Sequence, residues 1–330
     1  DAVVTCVEAD RSMFPFDRAA VKRIREMTTR DPSSPGLRRA GEGQRPGAKN
    51  VLHAHNMAAW QYAVLAARGT GVGVVYTQHG PNPHTHGLLN RIRSVVLARY
   101  TDRIVAVSED TARVMATTGI PRQRIVVIAN GVKTSNSAPE TRSVAKPRLG
   151  IPKDAFVIGS VGRLSPEKNY PLLVRAFAAF RTKHPESFLV LVGDGPARVE
   201  LEHVIRENDL TSACLLPGMQ ADIESWLRAM DVFCLSSFTE GMSVSLMEAG
   251  ACGLPAVVTD VGGNAEVVAD GVTGLVVEPG CAEALSGALD ALRQDQSRRE
   301  SMGRQARRRV EERFSLDATL DGYEQVYATI

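Results

Sequence analysis

The sequence predicts an α/β protein with two domains, each a doubly wound parallel sheet covered by helices on both faces. Short β-branched runs alternate with longer amphipathic runs along the chain. The Ser-, Pro- and charge-rich stretch Thr134–Asp154 interrupts this rhythm, and a second strand–helix series starts just after it. We therefore place a linker there and expect the domains to cover residues 1–145 and 146–315. A last helix, residues 316–330, is expected to pack back on the first domain.

The strands are predicted from their continuous apolar, β-branched composition. In the first series they are Val51–Ala54, Gly73–Thr77, Arg103–Val107 and Arg124–Ile128. In the second they are Phe156–Val161, Ser187–Val192, Ala213–Leu216, Val232–Leu235, Ala256–Thr259 and Gly274–Val277. The helices predicted between them include Met57–Arg68, Tyr170–Thr182, Ala197–Asn208 and Ala282–Arg293. Ligands of such sheets bind at the carboxyl ends of strands, so the loops that follow the strands are the candidate sites.

Charge is unevenly distributed along the 330 residues, although the formal net charge is only +2. Residues 1–150 hold 22 Lys and Arg against 11 Asp and Glu, and the remainder of the chain is acidic. This asymmetry predicts an anionic partner for the first half; scattered, solvated arginines are the alternative. The five cysteines show no metal spacing, and no signal peptide or bilayer-length apolar run is found, which favours a cytoplasmic protein with reduced thiols.

The loop "VGRLSPEKN", Val161 to Asn169, follows the first strand of the second series. Gly162 permits a sharp turn, and Arg163 and Lys168 place two cations at one strand end, an arrangement that suits a diphosphate. An ordinary helix-capping loop is the alternative. It accounts for Ser165 but for neither cation.

Two further loops carry paired glycines before a helix. In "VGDGPAR", Val192 to Arg198, Gly193 and its neighbour Asp194 would let backbone N–H groups approach a ligand closely. In "TDVGGNAEVV", Thr259 to Val268, two glycines again precede a helix start. Either loop could also be an ordinary strand-to-helix turn.

The loop "EGMSVSLMEAG", Glu240 to Gly250, places two carboxylates eight positions apart. A helix is predicted to begin near Ser243, with its first N–H groups facing an anion. Glu240 would lie at the mouth of a cleft, where it could accept hydrogen bonds from sugar hydroxyls, and Glu248 could bind a ribose diol. The alternative is that Glu240 only favours the helix dipole and Glu248 is a solvated surface residue.

Taken together, these loops resemble the nucleotide-sugar glycosyltransferases of family 4, retaining enzymes with the GT-B fold of two Rossmann-like domains facing a cleft. The family signature of two glutamates separated by seven residues is matched by Glu240 and Glu248. It follows "VGRLSPEKN", "VGDGP" and "LPG" in the family's order, and "ACGLPAVVTDVGGNAEVV" and "GVTGLVV" come after it. In the first half, "VVYTQHG" is similar to the family's strand that ends in a histidine, here His79.

The resemblance implies a catalytic role for four residues. Arg163 and Lys168 would hold the donor diphosphate, Glu240 would contact the transferred sugar, and His79 would face that sugar across the cleft. Glu248 would hold the ribose. The remaining residues expected to line the donor are Gly162, Gly193, Asp194, Met219, Gly241, Met242, Ser243, Val244 and Ser245.

The implied reaction is retaining hexosyl transfer from a UDP-, GDP- or ADP-sugar to a glycan or lipid-linked acceptor, in cell-surface polysaccharide or glycolipid synthesis. Neither cofactor nor metal is expected, because the two cations would take the place of a metal. Nucleic acid is not an expected partner. The basic, apolar stretch Leu88–Tyr100 could lie on an anionic membrane surface at the inner face, or could pack as an ordinary core helix. A metal site at His53, His55, His84 and His86 is disfavoured, since no carboxylate or thiol lies at metal spacing.

The start of the chain departs from the family pattern. The family begins with a strand and a Gly-rich loop, and "DAVVTCVEAD" has no such loop before a first helix, so the first βα unit is expected to be missing. Ser243 and Asn264 stand where many members carry Gly and Pro. The alternatives are an inactive nucleotide-sugar-binding module or truncated enzyme, and a dinucleotide-dependent dehydrogenase, which the lack of GxGxxG disfavours.

Overall fold

The computed structural model describes residues 3–7, 18–29, 50–80, 87–134 and 142–330. The chain divides into two compact units: unit 1 comprises residues up to Ala129 together with Thr319–Ile330, and unit 2 comprises Asn130–Ala318. This division falls earlier in the chain than the predicted boundary between residues 145 and 146. Part of the predicted linker is helical, since Arg142–Arg148 forms a helix, whereas residues 135–141 lie outside the described residues.

Unit 1 contains a five-stranded parallel sheet whose strands are adjacent in chain order, β1 to β5. The strands are β1 Val3–Val7, β2 Asn50–His55, β3 Gly73–Gln78, β4 Arg103–Ala106 and β5 Ile125–Val127. The helices are α1 Arg18–Thr29, α2 Met57–Ala67, α3 Leu88–Arg99 and α4 Glu109–Thr117. β1 was not among the predicted strands. The loop between β1 and α1 lies outside the described residues, so the absence of a first βα unit with its Gly-rich loop stays a prediction.

Unit 2 contains a six-stranded parallel sheet in the order β11-β10-β9-β6-β7-β8. The strands are β6 Phe156–Val161, β7 Ser187–Val192, β8 Cys214–Gly218, β9 Val232–Leu235, β10 Ala256–Thr259 and β11 Gly274–Val277. The helices are α5 Arg142–Arg148, α6 Tyr170–Arg181, α7 Arg198–Glu207, α8 Ile223–Ala229, α9 Val244–Ala251, α10 Asn264–Val267, α11 Ala282–Gln294 and α12 Gln296–Arg313. The four inner strands, β6, β7, β9 and β10, are buried along their whole length because helices cover both faces, whereas the edge strands β8 and β11 are mostly half-buried.

The strand order of unit 2 reverses beside β6. From β6 the chain proceeds outward through β7 and β8, then returns to β9 on the other side and proceeds through β10 and β11. The loops that leave β6 and β9 therefore lie side by side at the carboxyl ends of these two strands. Ligands of doubly wound sheets bind at this kind of reversal.

The last helix, α13 Leu316–Ala328, supplies side chains to the core of unit 1. Val326 packs with Val51, Val75 and Val105 of β2, β3 and β4, and Tyr323 and Tyr327 pack against the same cluster. The end of the chain thus covers one face of the unit 1 sheet. Among the described helices, none combines the length and apolar character needed to cross a membrane.

Candidate active site

The loops after β6 and β9 meet through an ion pair. The Nζ atom of Lys168 lies 2.6 Å from Oε1 of Glu240, and their side chains are only 18% and 9% exposed. The hydroxyl of Ser237 donates to the same Oε1 atom at 2.6 Å. Two predicted catalytic residues, 72 positions apart in sequence, are therefore in direct contact. A shielded pair of this kind is oriented far more strictly than a surface pair.

Hydrogen bonds to backbone carbonyl groups hold the loops after β6 and β9 in place. Lys168 ends a 3₁₀ turn, and Asn169 follows it with a left-handed φ of 48°. The hydroxyl of Ser236 donates to the carbonyl oxygens of Lys168 and Asn169 at 3.1 and 3.0 Å. The N–H of Phe238 donates to the carbonyl of Glu167 at 2.8 Å. The lysine and the glutamate are thus fixed by the chain itself as well as by their own contact.

The glycines of the neighbouring loops lie where one loop backbone packs closely on another. Gly193 has a φ of 135°, and a Cβ there would lie 2.0 Å from the carbonyl oxygen of Gly162. Gly262 has a φ of 54°, and a Cβ there would lie 2.0 Å from the carbonyl oxygen of Glu240. These residues are glycine because one loop backbone packs on another. This packing is sufficient to explain why glycine occupies both positions, and a role of Gly193 in binding a ligand stays a prediction.

Helix α9 begins directly after the ion pair, as predicted. Ser243 is its N-cap, and its hydroxyl accepts the N–H of Leu246 at 3.4 Å. The other N–H groups of the first turn have no partner within the helix and carry the positive end of its dipole. Among the predicted donor residues near this turn, Gly241 is half-buried, Met242 is buried, Val244 is exposed and Ser245 lies 3.2 Å from the Ser243 hydroxyl.

The remaining predicted diphosphate and donor residues lie at the surface of unit 2. Arg163 is exposed, and so is Asp194, which accepts the N–H of Gly195 at 2.7 Å and lies 3.7 Å from Arg198. Met219 is 82% exposed at the end of β8. The structure thus brings Lys168, Glu240 and the start of α9 together, whereas no contact joins Arg163 or Met219 to them in the described part of the chain.

Glu248 faces a cavity of about 370 Å³ within unit 2. Its lining comes from α8, α9 and the segments at the two ends of the unit: Gly131, Val132, Lys133, Ile223, Glu224, Leu227, Arg228, Val244, Glu248, Ala251, Cys252 and Leu316. Burial raises the pKa of the Glu248 carboxyl. No ion pair of the described residues involves Glu248, so its carboxylate has hydrogen-bonding capacity to offer a ligand. Val244 also lines the cavity, which therefore begins at the start of α9.

His79 belongs to unit 1, where it follows β3. Its Nε2 atom lies 2.7 Å from Nδ1 of His55. Although part of the His79 ring is exposed, desolvation of the buried part and the neighbouring His55 lower its pKa. His79 is therefore neutral near pH 7 and suits a hydroxyl group better than a phosphate.

The Lys168–Glu240 pair and the His55–His79 contact both include side chains to which the sequence analysis gave no catalytic or binding role. Ser236 and Ser237 belong to none of the sequence motifs, yet Ser236 binds the loop after β6 and Ser237 binds Glu240. The signal was their position at a strand end beside a motif residue. His55 was weighed only as a metal ligand. Clusters of three or more His, Cys, Asp or Glu able to hold a metal are absent from the described residues, and His84 and His86 lie outside them.

Comparisons with known proteins agree on one family. The family model described as "Glycosyl transferases group 1" matches residues 141–309, which is about half of the chain, and "Glycosyltransferase Family 4" matches residues 17–136. The D-inositol 3-phosphate glycosyltransferase of Kribbella flavida is 31% identical over 294 residues, covering 81% of this chain and 68% of that protein. An Escherichia coli enzyme, UDP-Gal:alpha-D-GlcNAc-diphosphoundecaprenol alpha-1,3-galactosyltransferase, is 28% identical over 291 residues, covering 84% and 75%.

Solved structures show the same architecture. Anabaena Alr3699/HepE in complex with UDP and glucose has a TM-score of 0.79 and 25% identity, over 85% of this chain and 78% of that one. Sucrose-phosphate synthase from Thermosynechococcus elongatus has a TM-score of 0.75 at 21% identity, over 84% and 73%. These likenesses confirm the predicted fold class, two parallel-sheet α/β domains of the GT-B type.

Proposed function

We propose that this chain, which belongs to the group 1 glycosyl transferases and to glycosyltransferase family 4, moves a hexosyl group from a UDP-sugar with retention of configuration. The observation that carries the proposal is the shielded Lys168–Glu240 pair beside the start of α9, at the strand reversal of unit 2. Uridine is favoured over guanosine and adenosine by two relatives: Alr3699/HepE was solved with UDP-glucose, and the E. coli relative is named for UDP-Gal.

The chemistry follows from where charge develops. As the sugar–phosphate bond breaks, negative charge grows on the diphosphate and positive charge on the anomeric carbon. Lys168 and the first N–H groups of α9 would stabilise the diphosphate, together with Arg163. Within the described contacts, both hydrogen bonds to Glu240 end at Oε1, so its Oε2 atom would accept from a sugar hydroxyl.

The other ends of the donor would be held by different groups. Glu248, whose desolvated carboxyl faces the cavity beside α9, would accept from the ribose diol. His79, as a neutral imidazole, would orient the sugar. The leaving phosphate would take the proton of the attacking hydroxyl, and no cofactor or metal would be needed.

The acceptor proposed is the hydroxyl of a phosphate-bearing glycan or lipid-linked glycan, as in cell-surface polysaccharide or glycolipid synthesis. Two relatives support an anionic acceptor by name, one for inositol 3-phosphate and one for a GlcNAc-diphosphoundecaprenol. The excess of basic residues in the first half of the chain would attract such a molecule.

We further propose that α3 rests on an anionic lipid surface. Five large apolar side chains of this helix are exposed: Leu88, Leu89, Ile92, Val95 and Val96. The only charged residues in the helix are arginines, of which Arg91 and Arg99 are exposed. Apolar residues flanked only by positive charge suit an anionic bilayer interface.

Calorimetric titration with UDP-, GDP- and ADP-sugars tests the donor site. We expect one uridine nucleotide to bind wild type, and Lys168→Ala to lose most of that affinity, while the exposed Lys153→Ala keeps it. Absence of binding across the panel would contradict the proposal. Binding without transfer or hydrolysis would instead support the inactive-module alternative. The anomeric configuration of the product, measured by NMR, tests retention.

Co-sedimentation with vesicles tests the α3 surface. Leu89→Glu should abolish binding to vesicles that contain phosphatidylglycerol, and wild type should bind neutral vesicles weakly. Val199→Glu, at an exposed apolar site of unit 2, is the matched control and should bind like wild type. Equal binding of the two variants would contradict the membrane proposal and leave the donor site unaffected.

A further inference from the structure

Three histidines of unit 1 form a connected series: His53, His55 and His79. His53 and His55 alternate along β2 and therefore lie on the same face of the sheet. The register pairs His55 with Thr77 of β3, and His79 follows two residues later. The sequence pattern His-Ala-His thus places two imidazoles beside the strand end from which His79 projects.

The His55–His79 contact limits where the ring protons of the two histidines can lie. Nδ1 of His55 lies 2.7 Å from Nε2 of His79, and the rings stack with centroids 5.0 Å apart. A neutral imidazole has one N–H and one acceptor nitrogen, so only one of the facing nitrogens carries hydrogen. The contact couples the two tautomers: if His55 donates, His79 carries its proton on the outward Nδ1, and if His79 donates, its outward Nδ1 accepts.

His53 supports His55 from behind. Its ring centroid lies 4.2 Å from that of His55. Its own nitrogens are both bonded: Nδ1 lies 2.7 Å from the Tyr327 hydroxyl and Nε2 lies 2.7 Å from the Thr77 hydroxyl. Because Tyr327 belongs to α13, the last helix of the chain anchors the inner end of the series.

Two members of the series, His53 and His79, have lowered pKa values. Burial, followed by His55 and His79, lowers the pKa of His53 to about 3. The pKa of His79 is lowered by desolvation and by His55. From α13, Tyr323 and Tyr327 face the series, and burial raises the pKa of Tyr323. His79, the outer ring of the contact, is therefore neutral near pH 7, and so is the buried His53.

We infer that His55 is a positioning residue that fixes the tautomer and orientation of His79, and that Tyr327 anchors the series from the C-terminal helix. The inference rests on the proposed function, because that function gives His79 a sugar hydroxyl to bind. Its structural part, the fixed tautomer, can be measured without turnover.

The first measurement is ¹⁵N NMR of the histidine side chains in the full chain. Wild type should show a single tautomer of His79. His55→Asn, whose amide can occupy the position of Nδ1, should keep it, and His55→Phe should show a mixture. Circular dichroism shows whether each variant is folded. An unchanged His79 tautomer in folded His55→Phe would overturn the inference, whatever the outcome of donor titrations. If His55→Phe does not fold, the test depends on His55→Asn, and loss of the single His79 tautomer in that variant would overturn the inference.

The second measurement is steady-state transfer from UDP-glucose. His55→Phe should lower kcat by roughly 10- to 100-fold with little change in KM for the donor, because a misplaced positioning group acts mainly on the transition state. His55→Asn should recover most of kcat. In both variants the acid-side loss of activity should move to higher pH, since removing His55 removes one cause of the low His79 pKa. If His55 only supported the fold, its substitution would not lower kcat selectively over KM, and it would not shift the pH at which activity is lost on the acid side.

Tyr327→Phe tests the anchor. It removes one hydroxyl from a ring nitrogen of His53 and should partly mix the His79 tautomers. Tyr100→Phe, at an exposed tyrosine of the same unit, is the control and should leave the spectrum unchanged. Identical spectra for the two variants would overturn the role of α13. A wild type that binds no nucleotide sugar contradicts the proposed function alone, because the NMR comparison still decides the inference.

Discussion

The candidate residues of the two units are held in place by opposite means. In unit 2 a lysine and a glutamate share a shielded ion pair, and backbone hydrogen bonds and close glycine packing fix the loops that carry them. In unit 1 the candidate histidine is neutral and is held by other rings. The candidate residues of unit 2 are therefore charged, whereas the candidate histidine of unit 1 is neutral.

Sheet topology explains part of this difference. The six strands of unit 2 reverse their order beside β6, which is where ligands of doubly wound sheets bind. The strands described for unit 1 follow one another in chain order, and no such reversal occurs among them. A site in unit 1 must therefore be assembled from side chains, and α13 supplies two of them, Tyr323 and Tyr327. Topology alone thus predicts the location of one site and not of the other.

The largest expected effect concerns a second ion pair of unit 2, between Lys146 of α5 and Asp231. Their side chains are 8% and 13% exposed, and the lysine also donates to the carbonyl of Ala155. Lys146→Ala removes the cation beside a buried carboxylate that also accepts the N–H of Val157, and should cost about 3–5 kcal/mol of unfolding free energy. Urea denaturation of this variant beside the exposed Lys153→Ala measures the difference. A loss of unfolding free energy below about 1 kcal/mol would show that the Lys146–Asp231 ion pair contributes no more than a surface pair.

The next effect concerns the packing of Gly262 on Glu240. Gly262→Ala forces the Glu240 backbone away, and we expect transfer activity to fall on the order of 10²-fold. Gly271→Ala is a matched control, since Gly271 also has a left-handed φ, 72°, but has open space where the Cβ would go. Both variants should lose about 1–2 kcal/mol of stability from backbone strain, and only the first should lose most of its activity. Equal activities would show that the loop packing does not position Glu240.

The secondary structure of unit 2 could be predicted closely because its strands are continuous apolar runs. Five of its six strands were predicted with the observed bounds, and β8 starts one residue later and ends two residues later than predicted. Helix α12 was missed because Met302, Ala306 and Val310 provide a thin apolar stripe within a strongly charged segment. Helix α5 was hidden by Pro147, which the sequence alone suggests as a linker residue.

The candidate site could be predicted in its residues but not in its contacts. Glu240 and Lys168 were selected by motif, whereas their hydrogen bond depends on β6 and β9 being neighbours, which no local pattern states. The glycines were identified correctly as special positions, but their neighbour is another loop. His55 was considered only as a metal ligand because its partner, His79, follows a different strand of the sheet. In each case the missing information is which distant segment packs there.

A smaller effect concerns the acid sensitivity of the histidine series. Because the pKa of His53 is about 3 in the folded chain and near 6.5 when unfolded, the unfolded state binds the additional proton between these values. Stability should therefore fall as pH decreases from about 6.5 toward 3, by at most about 1.4 kcal/mol per pH unit from this residue. His53→Gln should reduce that slope, and the exposed His203→Gln should not. Equal slopes in urea titrations at several pH values would contradict the neutral, buried state of His53.

The smallest effect concerns the helix caps that follow the site strands in the two units. Asn56 caps α2 directly after His55, and its side chain accepts the N–H of Ala59 at 3.1 Å; Ser243 caps α9 through a longer bond. Replacing either by Ala should cost about 0.5–1 kcal/mol of stability, with Ser243→Ala at the lower end because its bond is longer.

Only the cap in unit 2 orients N–H groups toward a proposed diphosphate. Ser243→Ala should therefore also weaken donor binding a few-fold, whereas Asn56→Ala should leave the affinity for UDP unchanged. Ser243→Gly, which keeps most of the cap energy, should fall between wild type and Ser243→Ala in both measurements. Equal losses of UDP affinity in Asn56→Ala and Ser243→Ala would contradict the assignment of diphosphate binding to the start of α9 in unit 2.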